Sequence, residues 1–228
     1  ETLTLENNQI GLAINLEGGN DSLNLAGGVN SLSVTETESI TGTTGNDALT
    51  LENTQAGTEI DLARGDDTLT LADGDNVTAV SNIETIIGGA GNDQVEISSN
   101  TTEGDRVDLA GGHDILFLAH EDRDNTVTVS NIEEVFAGEG NDHVRFVTNL
   151  TKGDLVFLGG GADTLVLAEG DNAVTVSDIE TIIAGDGNDA VSLASNITAG
   201  ELFDLAGGDD TLILAEGDNS TTVANIET

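Results

Sequence analysis

Apolar and polar residues alternate along the chain in short runs: Thr68-Leu69-Thr70-Leu71, Asp114-Ile115-Leu116-Phe117-Leu118, Asn125-Thr126-Val127-Thr128-Val129 and Ala173-Val174-Thr175-Val176. A period of two predicts short strands with one buried face. The runs are separated by clusters of Gly, Asp, Asn and Ser, which supply turn chemistry. No segment sustains a helical period with caps at its ends.

The strands belong to a repeat. Ser81-Asn82-Ile83-Glu84 returns as Ser130-Asn131-Ile132-Glu133, Ser177-Asp178-Ile179-Glu180 and Ala224-Asn225-Ile226-Glu227, in steps of 49, 47 and 47 residues. Gly-Asn-Asp occurs at 45–47, 91–93, 140–142 and 187–189. Such a period is the signature of a stacked architecture. The expected organisation is one repetitive domain over 1–228, divided as 1–34, 35–80, 81–129, 130–176, 177–223 and 224–228, with two turns per unit of ~47 residues and partial units at both ends. The expected fold is an all-β parallel β-solenoid, a β-roll or β-helix of right-handed sense. Its strands would pair with their equivalents one turn away and enclose Leu and Val.

The Gly-x-Asp aspartates are Asp21, Asp47, Asp67, Asp93, Asp114, Asp142, Asp163, Asp189 and Asp210, spaced 26, 20, 26, 21, 28, 21, 26 and 21 residues apart. Read as one corner per turn, these spacings predict about 8–9 turns of 20–28 residues, with the nine aspartates in one column. Asn82, Asn131, Asp178 and Asn225 are expected to stack two turns apart, as are Asn53, Asn100, Asn149 and Asn196.

Composition narrows the chemistry. The chain has 43 Asp+Glu against 5 Lys+Arg, a formal charge of -38, so it offers no basic face to nucleic acid and none to an anionic membrane. That charge density alone would suggest disorder. The hydrophobic share of 37% together with 29 Gly instead matches a folded domain, filled by small side chains with only five Phe. Cys, Met, Pro, Trp and Tyr are absent, which removes disulfides, thiolate metal sites and a Cys nucleophile. No apolar run approaches a membrane span, and nothing reads as a signal peptide.

Gly88-Gly89-Ala90-Gly91-Asn92-Asp93-Gln94-Val95-Glu96 fits the nonapeptide GGxGxDxUx at every specified position. Ala137-Gly138-Glu139-Gly140-Asn141-Asp142-His143-Val144 and Ala184-Gly185-Asp186-Gly187-Asn188-Asp189-Ala190-Val191 lack only the first Gly, and Thr43-Thr44-Gly45-Asn46-Asp47 is looser. In these motifs the chain resembles the RTX (repeats-in-toxin) β-roll family and its longer-period bacterial surface relatives. The resemblance implies calcium at the corners and type I secretion. It departs from the family in returning the strict motif once per unit, not in tandem nonapeptides. The chemistry also argues for itself. Calcium takes six to eight oxygens from carboxylates and carbonyls, and Gly-rich corners let carbonyls turn inward. Like charges stacked at ~4.8 Å call for a cation. The expected calcium ligands are the nine aspartates, with Gly45, Asn46, Gly89, Gly91, Asn92, Gly138, Gly140, Asn141, Gly185, Gly187, Asn188 and Gly208 shaping the corners. Several ions are expected.

A weaker second column is expected where the chain turns back, at Asp75, Asp105, Asp154, Asp171, Glu201 and Asp218, with the stretch His120–Asp124 breaking the pattern. The sequons at Asn76, Asn100, Asn149, Asn196 and Asn219 multiply with the repeat and carry little weight. His113, His120 and His143 have no zinc spacing. No Gly-x-Ser-x-Gly elbow is present. Arg64, Arg106, Arg123, Arg145 and Lys152 share no repeat position and are expected in local ion pairs.

No enzymatic activity is therefore expected; a polysaccharide lyase would carry a basic, aromatic cleft. The expected function is that of a secreted or surface-displayed, calcium-stabilised structural repeat protein: a rod, filament or surface-layer element of a bacterial matrix. The alternatives are a stalk or ligand-binding segment of a large RTX adhesin, with a glycan or other surface target, and the calcium-binding tail of a secreted enzyme. Without Met the sequence reads as a segment or processed form. Uncapped repeats at both ends predict a longer shaft, or copies that self-associate end to end or laterally.

Overall fold

The computed structural model describes residues 1–119, 122–197 and 200–228; His120 and Glu121 lie outside it. Among the described residues there are 24 strands, from β1 (Thr2–Thr4) to β24 (Thr222–Ala224), and no helix. The odd strands form one 12-stranded parallel sheet and the even strands another, each in chain order. Two strands make a turn, and the coil completes about 11 turns. The β-solenoid expected from the sequence is the fold observed. The coil is tighter than expected, with more turns and a shorter one-turn step: Ala48 pairs with Thr68, Thr68 with Thr85, and Thr85 with Arg106.

Inside-outside alternation runs through the strands. In β4 (Ser31–Thr35) Leu32 and Val34 are buried between half-buried Ser and Thr. In β14 (Thr126–Ser130) Val127 and Val129 point inward. The inward Leu, Ile and Val of the two sheets meet in one continuous core, and Phe146 and Phe203 are its largest fully buried side chains. Small branched residues suit this interior, because each turn presents the same narrow slot to the next.

The repeat length explains the spacings. β6 (Ala48–Leu51), β11 (Gln94–Ile97), β16 (His143–Phe146) and β21 (Ala190–Leu193) follow the four Gly-Asn-Asp triplets. They lie five strands apart, so a unit of about 47 residues covers two and a half turns, not two. Each unit therefore begins on the edge opposite its predecessor. Asn82, Asn131, Asp178 and Asn225 all adopt positive φ, between 52 and 56°, but successive members of the set lie on opposite edges.

Candidate functional site

Every strand is entered through a polar residue, and these residues stack along each edge as rungs. Asp47, Asp67, Asp142 and Asp163 lead into even strands; Asp21, Asp93, Asp114, Asp189 and Asp210 lead into odd ones. The nine aspartates are thus not one column. A short step of 20 or 21 residues is one turn on the same edge. A step of 26 residues, such as Asp21 to Asp47, spans three strands and crosses to the other edge.

Four stacks share one hydrogen-bond pattern. In the first, the Asn30 N–H donates to Asp47 Oδ1 at 2.8 Å, the Asp47 N–H to Asp67 Oδ1 at 2.6 Å, and the Asp67 N–H to Glu84 Oε2 at 2.7 Å. The same order Asn-Asp-Asp-Glu recurs as Asn76–Asp93–Asp114–Glu133, Asn125–Asp142–Asp163–Glu180 and Asn172–Asp189–Asp210–Glu227. Asp21 stands between the Glu1 ammonium group and Glu38, to whose Oε2 its N–H donates at 2.7 Å. Sequence reasoning missed two of the four rungs, the asparagines and the glutamates. The signal for the glutamates was present: Glu84, Glu133, Glu180 and Glu227 end the Ser-Asn-Ile-Glu repeat.

The slot at each rung is defined by its Asn. Asn30 Nδ2 donates to Ala26 O at 2.9 Å and Gly28 O at 3.0 Å, the carbonyls four and two residues back. Asn76 and Asn172 do the same with Ala72 and Gly74, and with Ala168 and Gly170. An aspartate on the next rung has no amide donor for such a slot. Oδ2 of all nine aspartates is buried without a hydrogen-bond partner, and none of these residues is more than 4% exposed. A buried, unpaired carboxylate oxygen is costly. A proton on the carboxyl or a cation in the slot would relieve that cost.

The electrostatics agree. Burial, aided by the charges of the adjacent rungs Asp47 and Glu84, pushes the Asp67 carboxyl up to about 6 against the Asp47 N–H, which lowers it. Asp114 rises to about 6 and Asp163 to about 7 for the same reasons. Asp93, Asp142 and Asp189 are also raised by burial, and the Asn amide above each one opposes the rise.

The corner Gly and Asn have structural duties. A Cβ at Gly45, Gly91 or Gly187 would run into the backbone of Gly28, Gly74 or Gly170 one turn away, and one at Gly140 into that of Arg123. The corner Asn form an outer, exposed ladder: the Asn92 N–H donates to Asp75 Oδ1 and the Asn188 N–H to Asp171 Oδ1, both at 2.8 Å. Gly-Asn-Asp thus reads as close stacking, outer ladder and inner rung.

The six residues of the expected second column do not form one. Asp75 and Asp171 belong to the outer ladder, and Asp218 sits at the matching place beside Asn219. Asp124 is a further member, accepting from the Asn141 N–H at 2.7 Å; His120 and Glu121, in the stretch expected to break the pattern, lie outside the described residues. Asp105, Asp154 and Glu201 are buried entrance rungs of β12 (Arg106–Asp108), β17 (Asp154–Phe157) and β22 (Leu202–Asp204). Asp105 and Asp154 accept from the N–H of Thr102 and Thr151 at 2.8 and 2.6 Å.

Among the described residues, no three His, Asp or Glu side chains converge on one point. A cation at a stack would be held by two aspartates of adjacent turns and main-chain carbonyls. Nor, where the structure describes both partners, do the cations form the expected local ion pairs. Among the described residues, the contacts of opposite charge are the Glu1 ammonium with Asp21 and His113 Nε2 with Glu134 Oε1 at 3.6 Å. Arg123 donates to the Ser98 carbonyl at 2.9 Å. Among the described residues no helix is long and apolar enough to cross a membrane. No family model matches the chain, and neither curated proteins nor solved structures gave a match.

Proposed function

We propose that the protein is a structural rod of an extracellular bacterial matrix, surface layer or adhesin stalk, and that its paired aspartates take up calcium on folding. The observation that carries this reading is the set of nine buried carboxylate oxygens without partners, placed where asparagine rungs supply a donor. Asp47/Asp67, Asp93/Asp114, Asp142/Asp163 and Asp189/Asp210 would hold the ion, and the glycines that shape the corners leave carbonyls beside them. Calcium would supply the positive charge that the five Lys and Arg do not. At low calcium the acidic chain repels itself; at millimolar calcium, mass action stabilises the coil. Secretion as an unfolded chain follows from the same coupling. The continuous ladders and the core suit a load-bearing shaft.

A second reading has its own support. The raised carboxyls of Asp67, Asp114 and Asp163 are suited to hold a proton in the same slot. Circular dichroism of chelator-stripped protein at pH 7.5, titrated with calcium and separately with magnesium, separates the two. A coil-to-β transition or a rise in Tm at ~0.1–1 mM calcium, weak with magnesium, supports the metal reading. A β spectrum whose melting is indifferent to calcium, but which strengthens on acidification, replaces it with the proton.

A further inference from the structure

In a chain with 43 acidic residues, Arg106 and Arg145 have no carboxylate partner among the described residues. Both are exposed on the outer side of the even sheet. They occupy one register position: Arg106 pairs with Thr128, and Thr128 with Arg145. Sequence spacing hides this, because the two lie two turns apart but at different places in the repeat.

The same three turns carry an aromatic column on the opposite sheet. Phe117, Phe136 and Phe157 are register partners in β13 (Ile115–Phe117), β15 (Glu134–Phe136) and β17. Their rings stack at centroid distances of 5.2 and 5.4 Å with interplanar angles of 17 and 20°. All three are half-buried on the outer face, whereas Phe146 and Phe203, the other two Phe, fill the core. Ile115 and Leu155 border the column, with Glu134 between them. Turn by turn, the even face presents Arg106, Thr128 and Arg145 where the odd face presents Phe117, Phe136 and Phe157.

We propose that these two faces bind each other between copies of this chain, odd face to even face, so that rods lie side by side, parallel and in register. The occupant follows from complementarity. A guanidinium favours an aromatic neighbour and a carboxylate, and the facing patch offers three Phe and Glu134. Arg106 and Arg145 are two strands apart, as are Phe117 and Phe157, so a sideways translation without axial slip brings the two sets together. The contact joins different faces, so it does not close on itself and continues into a layer. This inference rests on the reading of the chain as a structural rod, and names the surface through which rods associate.

The test is sedimentation velocity of the whole protein over a wide concentration range, in calcium, with circular dichroism recorded on every sample. The wild type is expected to associate with concentration. Arg106→Thr/Arg145→Thr and Phe117→Thr/Phe136→Thr/Phe157→Thr should each weaken association by about tenfold or more while keeping the β spectrum. An equimolar mixture of the two variants, each retaining one intact face, should form a one-to-one pair and nothing larger. A wild type that stays monomeric overturns the proposal and leaves both faces to another partner. Association that survives the Arg variant but not the Phe variant also overturns it, in favour of a self-complementary aromatic face. The calcium response of the monomer is read separately, so either result stands whether or not the metal reading survives.

Discussion

Replacing an aspartate of a stack by asparagine should change stability with opposite sign in the presence and absence of calcium. Asp163→Asn is the informative substitution. Its Oδ1 already accepts from the Asp142 N–H at 2.7 Å, a bond that an amide oxygen keeps. Its Oδ2 is buried without a partner, and its carboxyl is pushed up to about 7. The new Nδ2 takes the position from which Asn125 reaches the carbonyls of Ala119 and Arg123, both at 3.2 Å. In chelator at pH 7.5 the variant exchanges an unsatisfied charge for a donor. Relief of a buried unpaired group is worth ~1–3 kcal/mol, or a rise in Tm of roughly 2–12 °C for a chain of this size. In calcium the variant lacks one of the two carboxylates at that stack. A site saturated to 1,000 times its Kd contributes about 4.1 kcal/mol, so the calcium-dependent increment in Tm should be smaller than in the wild type by most of that amount. Differential scanning calorimetry at matched calcium and chelator gives both values. A variant less stable than wild type in chelator would refute the donor-slot argument. Equal calcium increments in the two proteins would remove the metal from this stack.

The pH dependence of the metal-free protein follows from the raised carboxyls. Asp67 and Asp114 at about 6 and Asp163 at about 7 hold protons more tightly folded than unfolded, so their contribution is complete below about pH 4 and is lost as pH rises through 6 and 7. Thermal melts in chelator should therefore lose Tm between pH 5 and 8, and saturating calcium should flatten that slope; a Tm that climbs over this range in chelator contradicts the assignment. Corner glycines should divide by environment: Gly104→Ala meets open space and carries only its φ of 116°, costing ~1–3 kcal/mol, whereas Gly91→Ala also strikes the Gly74 backbone and should cost several more. Urea titrations of both variants check the order, and equal losses would mean that close stacking at the Gly-Asn-Asp corner is not what requires glycine.

The solenoid, its short strands and its apolar interior were legible in the sequence because alternation and repetition are local properties. Leu69, Leu116, Val127 and Val174 are buried as the alternation requires. Phase was not legible. A unit of about 47 residues does not reveal whether it makes two turns or two and a half, and only pairings such as Thr68 with Thr85 fix the count. The nine aspartates were correctly read as one kind of position, yet that position alternates between edges. The Asn30, Asn76, Asn125 and Asn172 rungs looked like ordinary turn residues, since their partners lie 17 residues on. The pairing of Arg106 with Arg145 through Thr128 was equally hidden.

The half-integer phase bears on how a chain of net charge -38 stays coiled, and on the proposed calcium reading it predicts the number of ions. Nine aspartates in one unbroken column would make eight contacts between neighbouring carboxylates. At a spacing of ~4.8 Å and an effective dielectric of ~20, each contact between ionised groups costs about 3.5 kcal/mol. Moving each new unit to the other edge leaves four such Asp-Asp contacts: Asp47/Asp67, Asp93/Asp114, Asp142/Asp163 and Asp189/Asp210. Each is bounded above by a neutral Asn, so charge does not accumulate along an edge from one unit to the next. The Glu rung that follows each pair adds to the repulsion there, as Glu84, Glu133 and Glu180 do at Asp67, Asp114 and Asp163, and a divalent ion between the two aspartates would offset it. Asp21 has Glu1 and Glu38 on its neighbouring rungs, so it belongs to none of the four Asp-Asp pairs. Equilibrium dialysis against calcium should accordingly give close to four tight ions per chain, one per stack and on alternating edges. Asp93→Asn should remove one ion and leave about three. A stoichiometry near nine would mean that single aspartates bind independently, and would refute the paired-carboxylate site.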